Sequence, residues 1–202
     1  MKKFMWCVLF LWGAPAFCET VNEALQVKLN AIRTMSAAFN QVVKANKRTV
    51  SHSSGTMALS RPGRFRWQTN KPMAQTVIAD GHRLWVYDVD LEQVTVKKQN
   101  PGLGGTVGLF LSGYNDSLAR DFEVVRASVD HHDVFDLRAK SSEANFKRVK
   151  LMFVGNALRG IVLFDQLGQQ TDVQLSQVKT NPTLAPALFQ FKAPKGVDVV
   201  KQ

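Results

Sequence analysis

The densest group of side chains that could do acid–base or metal chemistry is the run His131-His132-Asp133. Neighbouring residues of a strand point to opposite faces, so the imidazoles of two adjacent histidines do not converge on one substrate or metal ion. An enzyme needs a nucleophile, a base or metal ligands that meet in one pocket. The run also lies beside a turn. We therefore predict a solvated loop here, with no catalytic residue, metal or cofactor, and a hydrolase is the alternative that this run leaves open.

Other sequence signals of catalysis are missing as well. The chain has no G-x-G-x-x-G after a strand, no P-loop, no H-E-x-x-H and no G-x-S-x-G. Its two cysteines, Cys7 and Cys18, both lie near the N-terminus. Removal of that segment on export leaves at most one cysteine, which excludes disulfides, C-x-x-C redox chemistry and cysteine-ligated zinc. The sequence thus favours a binding protein over an enzyme.

Residues 1–18 have the pattern of a secretory signal peptide. Two lysines precede an apolar run over residues 4–12, and small residues follow. The run is shorter than the roughly 20 apolar residues that cross a bilayer, so we expect no stable membrane insertion. Cleavage after Ala16 and cleavage after Cys18 both fit the small-residue rule. Phe17 is bulky where a lipoprotein signal needs a small residue, so Cys18 is not expected to be lipidated.

The composition describes one exported domain, residues 19–202, with a basic balance. Of the 202 residues 45% are hydrophobic and 21% are charged, and a chain of this length buries a sizeable core without disulfides or metal. Without the two N-terminal lysines the formal net charge falls from +10 to +8. That charge favours acidic partners such as an anionic membrane surface or an acidic protein, and nucleic acid is not expected outside the cytoplasm.

Hydrophobic periodicity predicts one helix followed by a long antiparallel sheet. An apolar stripe predicts an amphipathic helix over residues 21–33, and alternation begins at Met35. Short turns at Asp80-Gly81 and Gly155-Asn156, assigned to type I′, make successive strands antiparallel neighbours. A meander of about ten strands curls into a barrel or half-barrel. The further strands are predicted at 55–60, 64–69, 75–79, 83–88, 93–98, 123–128, 134–139, 146–154, 158–164 and 170–178.

Strand alternation also predicts an inward face with large apolar side chains. Such rows suit a ligand pocket, but they belong more often to a plain core. The inward rows are predicted to be Phe65 and Trp67, then Val149, Leu151 and Phe153, then Val162 and Phe164, then Val173 and Leu175.

One interruption of the strands, residues 101–120, is apolar and glycine-rich in its first half. Val107, Phe110 and Leu111 share one face of a predicted helix. Each of the three glycines among residues 104–108 costs about 1 kcal/mol of helix propensity relative to alanine, so the helix needs an apolar surface to pack on. The segment predicts either an ordinary covering helix or a lid over the concave sheet.

Short motifs follow one another in order along nearly the whole exported chain. They are Ala-Phe-Asn-Gln at 38–41, Arg-Pro-Gly-Arg-Phe-Arg-Trp at 61–67, Pro72, Asp-Gly at 80–81, Leu-Trp-Val-Tyr-Asp at 84–88, Leu-Glu-Gln-Val-Thr at 91–95, Gly-Gln-Gln-Thr at 168–171 and Phe-Gln-Phe at 189–191. As an ordered set they resemble LolA, the family of outer-membrane lipoprotein carrier proteins.

The resemblance implies a mainly β fold with a few helices: an unclosed antiparallel half-barrel of about eleven strands, covered by a helical lid. It implies a periplasmic chaperone, not an enzyme and without cofactors, that binds the acyl chains of lipoproteins. Cargo would come from the inner-membrane ABC exporter LolCDE and pass to the outer-membrane receptor LolB. We expect a monomer.

The resemblance also suggests site residues. By its match to the Arg-Pro of the motif, Arg61 is expected to latch the lid by donating hydrogen bonds to lid carbonyls, which suits a planar guanidinium with five donors. The motif places Phe65 and Trp67 in the acyl cavity, and alternation or a helical face adds the others. The expected cavity residues are Leu59, Phe65, Trp67, Val107, Phe110, Leu111, Val149 and Phe153.

Two other binding functions are alternatives to the carrier. A lipid-sensing regulatory domain on a similar half-barrel normally continues into a second domain, whereas this chain ends soon after Val199. A receptor such as LolB is itself a lipoprotein, and lipidation at Cys18 would distinguish it.

Overall fold

The computed structural model describes residues 20–99, 107, 111, 112, 118–142, 144 and 146–202. The predicted signal peptide, most of the predicted lid and its Phe110 lie outside the described residues.

Helix α1 (Val21–Asn30) opens the described part of the chain and is capped at both ends. The Thr20 hydroxyl accepts a hydrogen bond from the Glu23 N–H, and the Glu23 carboxylate accepts one from the Thr20 N–H, which forms a capping box. At the other end, the Asn181 side chain accepts from the backbone N–H groups of Arg33 and Thr34 and donates to the carbonyl of Ala31. The predicted helix over 21–33 was therefore three residues too long, because Asn181 binds the backbone that would extend it.

Twelve strands form one open sheet. They are β1 (Thr34–Ala45), β2 (Arg48–Ser60), β3 (Arg64–Lys71), β4 (Gln75–Asp80), β5 (Arg83–Asp88), β6 (Gln93–Lys98), β7 (Phe122–Val129), β8 (His132–Ala139), β9 (Phe146–Val154), β10 (Ala157–Asp165), β11 (Gln170–Thr180) and β12 (Asp198–Lys201). A short helix, α2 (Leu118–Asp121), precedes β7.

The order of the strands across the sheet is β12-β6-β5-β4-β3-β2-β1-β11-β10-β9-β8-β7. The two outermost strands are not paired with each other, so the sheet stays unclosed, and the predicted half-barrel fold is confirmed. Its pairs are antiparallel except at one edge, where the exposed β12 lies parallel to β6. This C-terminal strand raises the number of strands from about eleven to twelve.

Strand β2 is longer than predicted. It begins at Arg48, whereas the prediction began at residue 55. The first five residues of β2 are all exposed and show no alternation, so the sequence pattern did not mark them as strand. The turn before it, Asn46-Lys47, has positive φ at both central residues, as type I′ requires. In the turns at Gly81 and Gly155 the glycine alone has positive φ, so type I′ was the wrong assignment there.

One inward row was placed on the wrong face. On β10, Ile161 and Leu163 pair with the buried Leu151 and Val149, whereas Val162 and Phe164 pair with charged residues of the convex face. The register shifts between Leu158 and Gly160, so a β-bulge at this point breaks the alternation on which the prediction relied. Phe164 instead packs under the Arg148 guanidinium, which also binds the Asp136 carboxylate.

A second, smaller apolar cluster lies on the convex face. Trp85 and Tyr87 on β5 pack against Phe191, which follows a 3₁₀ helix (Pro186–Phe189). The Trp85 indole N–H also donates to the Asp80 carboxylate. The C-terminal segment therefore covers the outside of β4 and β5 and leaves the concave side to the main core.

Gly55 brings β2 and β3 into close contact, and its replacement by alanine should be costly. A Cβ at Gly55 would lie 1.9 Å from the Gln68 carbonyl oxygen and 3.0 Å from the Phe39 ring. Backbone and a packed ring cannot both give way, so we expect Gly55→Ala to lower the free energy of unfolding by about 2–3 kcal/mol in chemical denaturation.

Gly160→Ala is the matched control for Gly55→Ala. Its Cβ would lie 2.2 Å from the end of the flexible Met152 side chain, which can rotate away. We expect a loss below about 1 kcal/mol for this variant. Equal losses for the two variants would contradict the close backbone approach at Gly55.

Candidate functional site

The concave face of the half-barrel forms an apolar floor. Phe39 on β1 and Trp67 on β3 stack with ring centroids 4.0 Å apart, and Leu59 pairs with Phe65 across β2 and β3. Opposite them, Phe135 on β8, Val149 on β9 and Ile161 on β10 are fully buried. The structure therefore brings five of the predicted cavity residues into one core: Leu59, Phe65, Trp67, Val149 and Phe153.

Two residues of the predicted cover lie in the same core. Val107 and Leu111 have helical backbone conformation and side chains that are 5% and 2% exposed. Both belong to the cluster formed by the concave sheet residues. The described residues of the cover thus pack directly on the floor.

A cavity of about 400 Å³ remains between the cover and the floor. Its apolar side is made by Trp67, Val77, Val107, Phe146 and Leu163. Its mouth, at the end of the barrel where β3 ends and β4 begins, carries amide, hydroxyl and carboxyl side chains. These polar mouth residues are Gln41, Thr69, Gln75, Asp165, Gln169 and Thr171.

The turn between β2 and β3 touches the cover at the opposite end of the barrel. The Gly63 N–H donates to the carbonyl of the buried Ser112, 3.0 Å away. The Gln99 side chain donates to the Gly63 carbonyl at 2.7 Å and accepts from the Gly81 N–H. Sequence analysis missed Gln99, since a glutamine after a strand carries no signal of its own.

Arg61 lies in this same turn, two residues before Gly63. Its Nε atom is buried, and burial lowers the pKa of the Arg61 guanidinium to about 10. Its backbone N–H donates to the carbonyl of Arg33. The residue expected to be the latch is thus a partly buried cation next to a turn that is hydrogen-bonded to the cover.

Helix α1 is a second cover that sequence analysis did not assign. Its Ala24, Leu25 and Leu29 belong to the main core. Lys28 attaches this helix to the start of β8 and to the turn after β9. Its ammonium lies 3.2 Å from the Asp133 carboxylate, donates a hydrogen bond to the Gly155 carbonyl and lies over the Phe153 ring. Periodicity shows that a helix is amphipathic, but it does not show which surface the helix covers.

The run His131-His132-Asp133 is a loop only at His131, because His132 and Asp133 begin β8, and Asp133 makes the contact with Lys28. His131 lies in a turn with positive φ, and a His132 ring nitrogen lies 2.9 Å from the Asp130 carbonyl. Asp133 binds Arg126 as well as Lys28. Among the described residues no group of three or more His, Cys, Asp and Glu side chains could hold a metal ion.

The ion pairs of Asp133 predict acid sensitivity. Hydrogen bonds from Arg126 and Lys28 hold the pKa of this carboxyl below its usual range. A carboxyl with a lowered folded-state pKa stabilises the fold above its unfolded pKa of about 3.9 and loses that contribution as pH falls through the folded value. We expect Asp133→Asn to be less stable than the parent in denaturant titrations at pH 6 and nearly equal to it at pH 2. Asp90→Asn, on an exposed turn, is the control and should be as stable as the parent at both pH values. A loss of stability in Asp133→Asn that persists at pH 2, or an equal loss in Asp90→Asn at pH 6, would contradict this role of Asp133.

A known protein family matches most of the sequence, from the end of α1 to the segment before β12. The family described as outer membrane lipoprotein carrier protein LolA matches residues 30–192. The chain belongs to the LolA family. An outer-membrane lipoprotein carrier protein of Legionella pneumophila (strain Corby) is 57% identical over 202 residues, all of both chains. Another, from Dechloromonas aromatica, is 40% identical over 174 residues, 85% of this chain and 83% of the relative.

Solved structures share the LolA-like fold at low sequence identity. An uncharacterized conserved protein from Thermus thermophilus superposes with a TM-score of 0.57 at 14% identity, covering 89% of this chain and 99% of that one. MucB superposes with a TM-score of 0.52 at 15% identity, covering 90% of this chain and 66% of MucB. Neither likeness bears on more than the fold.

In the part of the chain that the structure describes, none of the helices has the length and apolar character needed to cross a bilayer.

Proposed function

We propose that this chain is a periplasmic carrier that shields the acyl chains of lipoproteins between the concave sheet and its helical cover. One observation supports this more than any other. The cover residues Val107 and Leu111 are buried in the same apolar core as the sheet, yet a cavity of about 400 Å³ remains beside Val107. A pocket with apolar side chains on one side and polar side chains on the other suits an amphiphile.

A carrier must offset the large free-energy cost of exposing acyl chains to water and must still release them. Each CH₂ group removed from water contributes about 0.8 kcal/mol, so one long acyl chain amounts to roughly 10 kcal/mol. A site that bound this surface without opposition would never release it. A cover that packs on the empty floor opposes binding, because cargo must displace those contacts, and the net affinity falls by the same amount.

The size of the cavity indicates that the cover moves. A volume of about 400 Å³ is at the lower end of the range that holds one small ligand. The several chains of a lipoprotein need more room, and the cavity is lined on one side by the cover residue Val107. We propose that loading displaces the cover and exposes Leu59, Phe65, Trp67, Val149 and Phe153 to the chains, with Phe110 and Leu111 on the cover's inner face.

Arg61 is proposed as the latch of the closed state. The turn that holds it is already tied to the cover through the Gly63–Ser112 hydrogen bond. A guanidinium donates charge-assisted hydrogen bonds, which are about twice as strong as neutral ones. Closing would therefore be favoured when the cavity is empty and opposed when cargo fills it.

The remaining assignments follow from this function. Residues 1–18 would direct export and be cleaved after Ala16 or Cys18, leaving residues 19–202 as one unlipidated periplasmic domain; mass spectrometry of the mature N-terminus tests this. LolCDE would load the carrier and LolB would unload it. The carrier would act by binding alone, as a monomer without catalytic residues, cofactor, nucleic acid or inserted segment.

Extraction of a lipopeptide from vesicles tests the proposal. The mature protein is mixed with vesicles that contain the exporter LolCDE, ATP and a fluorescent triacylated lipopeptide, and the vesicles are sedimented. A carrier moves lipopeptide into the supernatant in a complex with one copy of the protein. A folded protein that leaves all lipopeptide in the vesicles, or that binds only free phospholipid, would favour a lipid-sensing domain instead.

A further inference from the structure

Basic side chains are absent from the described lining of the cavity, although the chain as a whole is basic. The sequence has 26 lysines and arginines, and the described residues that line the cavity include none of them. The segment 100–117, which contains the predicted lid, has no lysine or arginine either. A phosphate group inside the cavity would therefore contact no basic side chain of its described lining.

The polar groups at the mouth are instead neutral, with one exception. Gln41, Gln75 and Gln169 carry both amide donors and carbonyl acceptors, and Thr69 and Thr171 carry hydroxyls. All five side chains are half-buried. Such groups match an amide, which also has one donor and one acceptor, better than they match an acceptor-only phosphate.

The exception is the carboxylate of Asp165, the last residue of β10. It accepts a hydrogen bond from the Gln169 N–H at 2.7 Å, which fixes it at the mouth. A second carboxylate lies behind the opposite wall, where Gln75 donates to Asp88 at 2.8 Å. Both negative charges repel an anion that approaches the cavity.

A groove of about 620 Å³ on the other side of Asp165 holds Arg138, Lys147 and Arg148. Carboxylates are interspersed among these cations: Arg148 binds the Asp136 carboxylate, and Glu123 lies opposite Arg138 in the register of β7 and β8. The groove therefore offers an anion little net attraction at the mouth.

We propose that the mouth selects neutral, amide-bearing acyl groups, as at the acylated N-terminus of a peptide, over acyl chains that end in a phosphate. The selection rests on the proposed carrier function and goes beyond it, since every membrane offers phospholipids in large excess over lipoproteins. A carrier without such discrimination would fill with phospholipid. Asp165 is the residue that sets the preference.

Two single-chain ligands of equal length test the selection. N-palmitoyl-glycinamide is neutral and cetyl phosphate is anionic, and each competes with a fluorescent fatty-acyl probe bound to the mature protein. We expect the amide to displace the probe at about tenfold lower concentration than the phosphate. Asp165→Asn keeps the acceptor for the Gln169 N–H and should reduce this ratio to less than about threefold.

Asp172→Asn is the control. Asp172 lies on β11, the strand next to β10, and its side chain forms an ion pair with Lys44 on the convex face, away from the cavity. Its ratio should stay at the parent value. Equal displacement by the two ligands in the parent, or an unchanged ratio in Asp165→Asn, would overturn the selection and leave the carrier function standing. A folded parent protein that binds neither ligand nor probe would overturn the carrier function itself, and the selection with it.

Discussion

Replacing Phe65 by glutamate should abolish acyl binding. Phe65 is fully buried in the floor, where it pairs with Leu59 and Ala79 and has no cation among these partners. A carboxylate there is either unpaired or protonated, and both states disfavour an acyl chain beside it. We expect the affinity for a fluorescent fatty-acyl probe to fall at least about 100-fold, equivalent to about 3 kcal/mol.

Two control variants distinguish a loss of acyl binding from a loss of the fold. Phe164→Glu makes the same change on the convex face, beside the Arg148 guanidinium, and should bind the probe like the parent. Phe65→Leu keeps the site apolar and should lose less than about tenfold in affinity. If a folded Phe65→Glu protein, judged by circular dichroism, bound the probe normally, Phe65 would not belong to the cavity wall.

Replacing Arg61 by leucine should trap the carrier in its loaded form. If the guanidinium stabilises the closed empty state, its loss removes roughly 1.5–3 kcal/mol from that state and leaves the acyl contacts unchanged. The net affinity for cargo then rises by about 10- to 100-fold. Loading from inner-membrane vesicles should persist, while transfer to purified LolB should slow by a similar factor.

Neighbouring arginines provide the comparison for Arg61. Arg64→Leu lies on the other side of the same turn, on the convex face opposite Asp80, and should transfer cargo normally. Arg61→Lys keeps a positive charge but loses the planar fork and should be intermediate. Normal transfer by a folded Arg61→Leu protein would contradict the latch. Loss of loading with an intact fold would place Arg61 in recognition of cargo or exporter instead.

Much of the fold could be predicted because its strands alternate clearly and its turns are short. Strands β5 and β6 match the predicted ranges 83–88 and 93–98 at both ends. Where alternation is absent, prediction stopped early: the first residues of β2 are all exposed, so no burial pattern marks them as strand. Strand β12 has four exposed residues and is held only by parallel pairing with β6, which is remote in sequence.

The floor of the site was predictable for the same reason, and its exceptions have local causes. Phe65 and Trp67 lie on an unbroken stretch of β3, whereas the bulge in β10 turned Val162 and Phe164 outward. The polar mouth was not predictable. It combines Gln41, Gln75 and Asp165 from three strands distant in sequence, and only the curl of the sheet brings them together.

The two tryptophans beyond residue 19 give the most direct test of where the acyl chains lie. Trp67 lines the concave cavity, and Trp85 stacks on Phe191 on the convex face. Trp85→Phe and Trp67→Phe leave one indole each, and a lipopeptide with brominated acyl chains quenches an indole only on close approach. We expect strong quenching of Trp67 in the first variant and almost none of Trp85 in the second. Equal quenching in both variants, or quenching of Trp85 alone, would contradict acyl binding beneath the cover.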